Sequence, residues 1–119
     1  AQLQKGGIPV SLFIEPNLVQ VKAAHGVSAD FVELHTGRYA NAHGSKETVA
    51  EVEAITQAAK LAHKLGMGVN AGHGLDYLNL TRLTQIPEIT EYNVGHSIIA
   101  RAVLVGLDQA VREMKMLLN

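Results

Sequence analysis

The sequence predicts an α/β fold of four parallel βα units. Three features carry that prediction. Four short strand-like runs alternate without interruption with helical patterns. The connections are long enough for crossovers, which makes the strands parallel and the crossovers right-handed. Polar residues and glycines gather at the C-terminal ends of three successive strands, the edge where parallel folds bind ligands.

The first strand reads Pro9-Val10-Ser11-Leu12-Phe13-Ile14. A helix follows, with Pro16 suited to its first position, Leu18, Val21 and Ala24 at helical spacing, and Gly26 suited to the left-handed residue past its end. The second strand is Phe31-Val32-Glu33-Leu34-His35. The segment from Arg38 to Ser45, rich in Gly, Asn and Ala, reads as a loose loop. The longest helix then carries an apolar stripe of Val49, Val52, Ile55, Ala59 and Ala62, closed by Gly66. The third strand is Met67-Gly68-Val69-Asn70-Ala71, followed by a short helix through Leu80, Leu83 and Ile86 that Pro87 stops. The fourth strand, Tyr92-Asn93-Val94-Gly95, leads into a helix from Ile98 to Val105. Gly106 breaks it before Leu107, Val111, Met114 and Leu118 resume the pattern. Periodicity does not separate an open sheet from half of an eight-unit barrel.

Composition narrows the function. A chain of 119 residues has room for one domain, and a hydrophobic content of 47% is typical of a globular chain. Ten basic and eleven acidic residues give a net charge of -1, against a broad nucleic-acid footprint. With no cysteine, a disulfide scaffold, a zinc ribbon and a thiol nucleophile are excluded, and a reducing, cytoplasmic setting fits. No segment approaches the roughly 18 continuous apolar residues that span a bilayer. The dinucleotide fingerprint G-x-G-x-x-G is missing. The start, Ala1-Gln2-Leu3-Gln4-Lys5, has no apolar signal-peptide core and reads as a cut end within a longer protein, although a processed or engineered end looks the same.

The polar edge reads Glu33-Leu34-His35-Thr36-Gly37, Asn70-Ala71-Gly72-His73-Gly74 and Asn93-Val94-Gly95-His96-Ser97, with Glu15 at the end of the first strand. In an extended strand Glu33 shares the inward face with Phe31 and His35, while Val32 and Leu34 suit packing under helices. A buried carboxylate there either pairs structurally with a neighbour such as His35 or serves proton transfer and charge stabilisation. His73, between two glycines, is open to a substrate and suited to proton exchange, or else is a turn histidine held by its backbone. Gly95 to Ser97 form a strand end feeding a helix, an arrangement whose amides bind phosphate, or else a turn capped by Ser97. In barrels the helix after such a loop is a common phosphate site, and residues 97–105 can supply it. His25, His43 and His63 read as structural. No pair of histidines has convincing metal-ligand spacing.

These segments, together with Gly106-Leu107-Asp108-Gln109-Ala110-Val111 and the run Ser97-Ile98-Ile99-Ala100-Arg101-Ala102, resemble the C-terminal half of the pyridoxine 5'-phosphate synthase family over nearly the whole chain. The resemblance implies a (β/α)8 TIM barrel of which residues 1–119 hold strands five to eight as a single-domain fragment. It implies joining of 1-deoxy-D-xylulose 5-phosphate to 3-amino-2-oxopropyl phosphate, giving pyridoxine 5'-phosphate, phosphate and water. No metal and no organic cofactor is implied, and no membrane or nucleic-acid partner. The implied assembly is a homo-oligomer, typically an octamer. Matched residue by residue, His73 falls on the family's proton donor and Glu33 on a carboxylate that stabilises the intermediates. Gly74, Gly95 and His96 fall on positions that hold the aminoketone phosphate. His35 receives no role.

The departure from the family is one of absence. The first four strands, which supply a further histidine, a glutamate base and most of the deoxyxylulose phosphate site, have no counterpart in these residues. The isolated fragment is therefore expected to be inactive, with two sheet edges and the inner strand faces uncovered. Two readings stand beside this one: a non-catalytic phosphate-binding half-barrel that assembles with itself or a partner, and another phosphate-utilising barrel enzyme.

Overall fold

Side-chain alternation along the strands builds the two faces of the sheet. In a computed structural model that describes residues 2–118, Val32 and Leu34 of β2 (Phe31–His35) are fully buried. Phe31 on the other face is exposed, and Glu33 and His35 are half-buried. The flanking strands are β1 (Ser11–Ile14), β3 (Gly68–Gly72) and β4 (Glu91–Asn93), and all four strands pair in parallel in the order β1-β2-β3-β4. The register lines up Leu12, Val32 and Val69, then Ile14, Leu34, Ala71 and Tyr92, on the face beneath the helices. Phe13, Glu33, Asn70 and Glu91 form a row on the opposite face, with His35, Gly72 and Asn93 above it.

The helices are α1 (Gln2–Lys5), α2 (Leu18–Gly26), α3 (Gly37–Ala40), α4 (Ser45–Lys64), α5 (Leu80–Leu83), α6 (His96–Val105) and α7 (Leu107–Met116). Helices α2 and α4 pack on each other and on the strands. Val21, Ala24, Ile55, Ala58, Ala59 and Ala62 are buried there, and the alanines allow the backbones to approach closely. Leu80, Leu83, Ile86, Ile89 and Met114 extend the core toward β4. The result is a slab of 44 × 38 × 21 Å with a radius of gyration of 15.2 Å, against about 13.5 Å for a compact chain of this length. The difference reflects the uncovered sheet face, where Phe13 is 56% exposed. Among the described residues no helix is long and apolar enough to cross a membrane.

Several local expectations give way to the structure. Residues 2–5 form a short helix, α1, that the sequence pattern does not announce. Helix α2 starts after Asn17, whose side chain accepts hydrogen bonds from the Val19 and Gln20 amides, so Pro16 lies outside the helix. Its exit places Ser28, not Gly26, at positive φ (59°). The Arg38–Ser45 segment is not uniformly loose, because α3 buries Tyr39, whose hydroxyl donates to the Asn79 carbonyl at 2.5 Å. Val49 does not join the α4 stripe and is exposed. Glu51 sits on the buried side instead, with its carboxylate 2.9 Å from Arg38. Gly66 does take the left-handed conformation that ends α4, at φ 82°.

Helices α6 and α7 turn about Gly106, whose φ of 85° is one that side-chain-bearing residues rarely adopt. Glu113 ties the pair together by accepting from Arg101 Nε at 2.8 Å and Nη2 at 3.1 Å, and from Gln109 Nε2 at 2.8 Å. The Arg101 guanidinium first, then the Gln109 amide, hold the Glu113 carboxyl down at about 2, from an ordinary 4.5. A depressed carboxylate stabilises the fold above its unfolded pKa and loses that contribution as it protonates. Unfolding measured across the acid range is expected to show this contribution intact above pH 4.5 and lost as pH falls toward 2, with Glu113→Gln removing that part of the pH dependence.

Candidate active site

Parallel pairing delivers the ends of β2, β3 and β4 to one level. His35 lies opposite Gly72, and Gly72 opposite Asn93. Beyond those residues the chain turns, and Thr36 controls the turn after β3. Its fully buried hydroxyl lies 2.8 Å from the Gly72 carbonyl and 2.6 Å from the His73 carbonyl, donating toward both. The Thr36 amide also donates to the Gly72 carbonyl at 2.8 Å. His73 is held at φ 84°, a strained conformation for a residue with a side chain. Its ring is exposed and lies against the His35 ring, with centroids 4.6 Å apart and planes tilted by 34°.

An open cleft of about 510 Å³ runs between the β3 and β4 ends, lined by His73, Gly74, Gly95, His96 and Ser97 among others. Four of the five residues singled out from the sequence therefore meet in one place. Gly95 precedes α6, and the first bond of that helix runs from the Ile99 amide to the Gly95 carbonyl at 3.1 Å. No side chain caps the helix. The amides of His96, Ser97 and Ile98 thus lie at an open helix start, where an anion is favoured. Ser97 is not a cap: its hydroxyl donates to the Leu75 carbonyl at 2.9 Å and fastens α6 to the loop after β3. A Cβ on Gly95 would meet nothing within 4 Å, whereas one on Gly74, itself at φ 76°, would come within 2.7 Å of the Ala40 side chain.

Glu33, the fifth residue, does not line this cleft. It projects from the uncovered sheet face, where a Cβ on Gly72 would fall on its Oε1. It is half-buried, not buried, and His35 is not its partner. His35 Nδ1 instead lies 3.0 Å from Glu15 Oε1 at the end of β1. Beside Glu33 in the same row, Asn70 donates from Nδ2 to Glu91 Oε1 at 3.3 Å. A second open cleft of about 360 Å³, lined by His35, Gly37, Arg38, Asn41, Glu47 and His73, flanks His73 on its other side. Among the described residues no three His, Asp or Glu side chains converge to hold a metal ion.

Two features of this edge escaped the sequence. Glu91 was invisible because its role depends on register against Asn70. Thr36 stands in the sequence as one residue of a polar run, and a hydroxyl placed between two carbonyls of the next strand has no sequence signature.

The family model described as pyridoxal phosphate biosynthesis protein PdxJ matches residues 1–119. The chain belongs to the PdxJ family. Relatives named pyridoxine 5'-phosphate synthase include that of Geotalea uraniireducens (strain Rf4), 56% identical over 113 residues, which are 95% of this chain and 47% of the relative. That of Geobacter sulfurreducens is 55% identical over the same shares. That of Citrifermentans bemidjiense is 53% identical over 118 residues, 99% of this chain and 49% of the relative. This PdxJ-family chain thus spans about half the length of the curated relatives it matches.

Replacing Thr36 by the near-isosteric valine takes the hydroxyl donor from the His73 carbonyl, while the Gly72 carbonyl keeps the residue-36 amide. Thr36→Val is expected to cost about 1–3 kcal/mol in denaturant unfolding, with the largest amide shifts in its NMR spectrum at Gly72 to Gly74.

Proposed function

We propose that this chain is half of a (β/α)8 barrel and carries part of the pyridoxine 5'-phosphate synthase site. The cleft that joins His73 and Gly74 to the open start of α6 is the observation that carries the proposal. A proton-exchanging side chain beside an anion-favouring helix start is the arrangement that a phosphorylated carbonyl or amine substrate requires. The sequential strand order, with helices on one face and an uncovered face opposite, supports the barrel.

In this reading the full enzyme condenses 1-deoxy-D-xylulose 5-phosphate with 3-amino-2-oxopropyl phosphate. The amine of the second substrate forms an imine with the ketone of the first, inorganic phosphate leaves, water adds, and an aldol-type closure makes the ring of pyridoxine 5'-phosphate. The amides of His96 to Ile98 and the His96 side chain hold the aminoketone phosphate, with Gly74 and Gly95 leaving room for it. His73 donates a proton to the reacting substrate. Glu33, on the inner face, steadies the positive charge of the imine-derived intermediates. The remaining proton acceptors and the deoxyxylulose phosphate site come from the other half of the barrel. The complete protein is a homo-oligomer that works in the cytoplasm.

This division of labour makes the 119-residue protein inactive by itself. Mixed with the complementary half of a full-length relative, it is expected to restore formation of pyridoxine 5'-phosphate from the two phosphorylated substrates. His73→Asn in the mixture is expected to lower turnover about 10²–10⁴-fold, as loss of a general acid does. Product formed by the 119-residue protein alone, or full turnover with His73→Asn, overturns the proposal.

A further inference from the structure

The inner edge of the sheet holds a second histidine that the synthase reading leaves idle. His35 ends β2, and its ring touches three groups. The His73 ring lies on it at 4.6 Å between centroids, and the Phe13 ring meets it edge-on at 5.1 Å and 75°. The third is Glu15, whose Oε1 is 3.0 Å from His35 Nδ1. That nitrogen is buried, and the contact is too oblique to count as a hydrogen bond, so the carboxylate is its near partner but not yet aligned with it.

The surroundings leave the two rings little freedom. A Cβ on Gly37 would come within 2.7 Å of His35 Cε1 and 3.0 Å of His73 Cδ2, so a glycine there is what lets both rings sit where they do. On the other side, Thr36 pins the His73 carbonyl and its strained backbone. Glu15 is placed by its own backbone, whose amide donates to Gln20 Oε1 at 3.0 Å. Its carboxylate is 45% exposed and free to turn toward the ring.

We infer that His35 is a positioning residue for His73, with Glu15 fixing the His35 tautomer. A carboxylate facing Nδ1 keeps the hydrogen on that nitrogen and leaves Nε2 as the open position of the neutral ring. The tilted ring against it then sets the orientation of His73 and the ring edge that it faces. Arg38, Glu47 and Asn41 line the cleft on the same side, but Arg38 is already paired with Glu51.

The consequence for turnover rests on the reading of His73 as proton donor, whereas the coupling between the rings does not. The test is therefore a double-mutant cycle read by NMR of ¹⁵N-histidine in the 119-residue protein. Glu15→Gln, at a half-exposed side chain, is expected to shift the ring nitrogens of both His35 and His73. The ring nitrogens of His25, His43 and His63 are expected to stay still. His35→Phe keeps a flat ring against His73 but removes the nitrogens. In that background Glu15→Gln is expected to leave His73 unmoved. An unshifted His73 in Glu15→Gln overturns the inference, as does an equal shift with and without His35. Neither outcome touches phosphate binding at α6, and failure of phosphate binding leaves the ring coupling intact.

Discussion

The parallel register of β2 on β3 is the constraint on which the rest of this molecule depends. It sets His35 level with Gly72 and so delivers Thr36 beneath the turn that follows β3. One hydroxyl then serves two carbonyls, and His73 is held where an isolated chain would rarely place it. A slip of one residue would exchange the two faces of β2, expose Val32 and Leu34, and push Glu33 and His35 under α4. The register is therefore fixed by the same burial that stabilises the sheet. Geometry at the site and stability of the core share one cause.

The molecule divides its apolar surface unevenly. The helix-covered face is closed by α2 and α4, and its central residues are fully buried. The other face and much of α6 are not closed: Val103 and Leu104 stand about four-fifths exposed, at 81% and 79%. Apolar area of that kind is uncommon on a protein that works alone. It agrees with a chain that spans about half the length of the curated relatives it matches. What the strand ends bring together is an open helix start, a strained histidine and a second histidine against it.

Much of the fold was legible because burial follows simple periods. The alternation in Phe31 to His35 assigned Val32 and Leu34 to the helices correctly, and parallel pairing followed from four uninterrupted βα units, whereas the sequential strand order did not. The failures came where local signals compete. Val49 fits an α4 stripe by spacing, yet it is exposed, and Glu51 takes the inner position beside Arg38. Gly26 suits a helix exit, yet the turn places its left-handed residue two positions later, at Ser28. Of the site, His73, Gly74, Gly95 and His96 were legible as strand-end residues, since parallel topology alone brings them together. The partner of His35 was not, because Glu15 reaches it from another strand and no spacing encodes that contact.

The central claim is that the edge between β3 and β4 receives a phosphate group. Its most direct test is a titration of the 119-residue protein with inorganic phosphate, followed by amide chemical shifts. The account predicts that the amides of His96, Ser97 and Ile98 move together with those of His73 and Gly74, saturating along one curve. It also predicts that the starts of α2 and α4 stay in place. Shifts of equal size at every helix start, or none at residues 95–98, would contradict it.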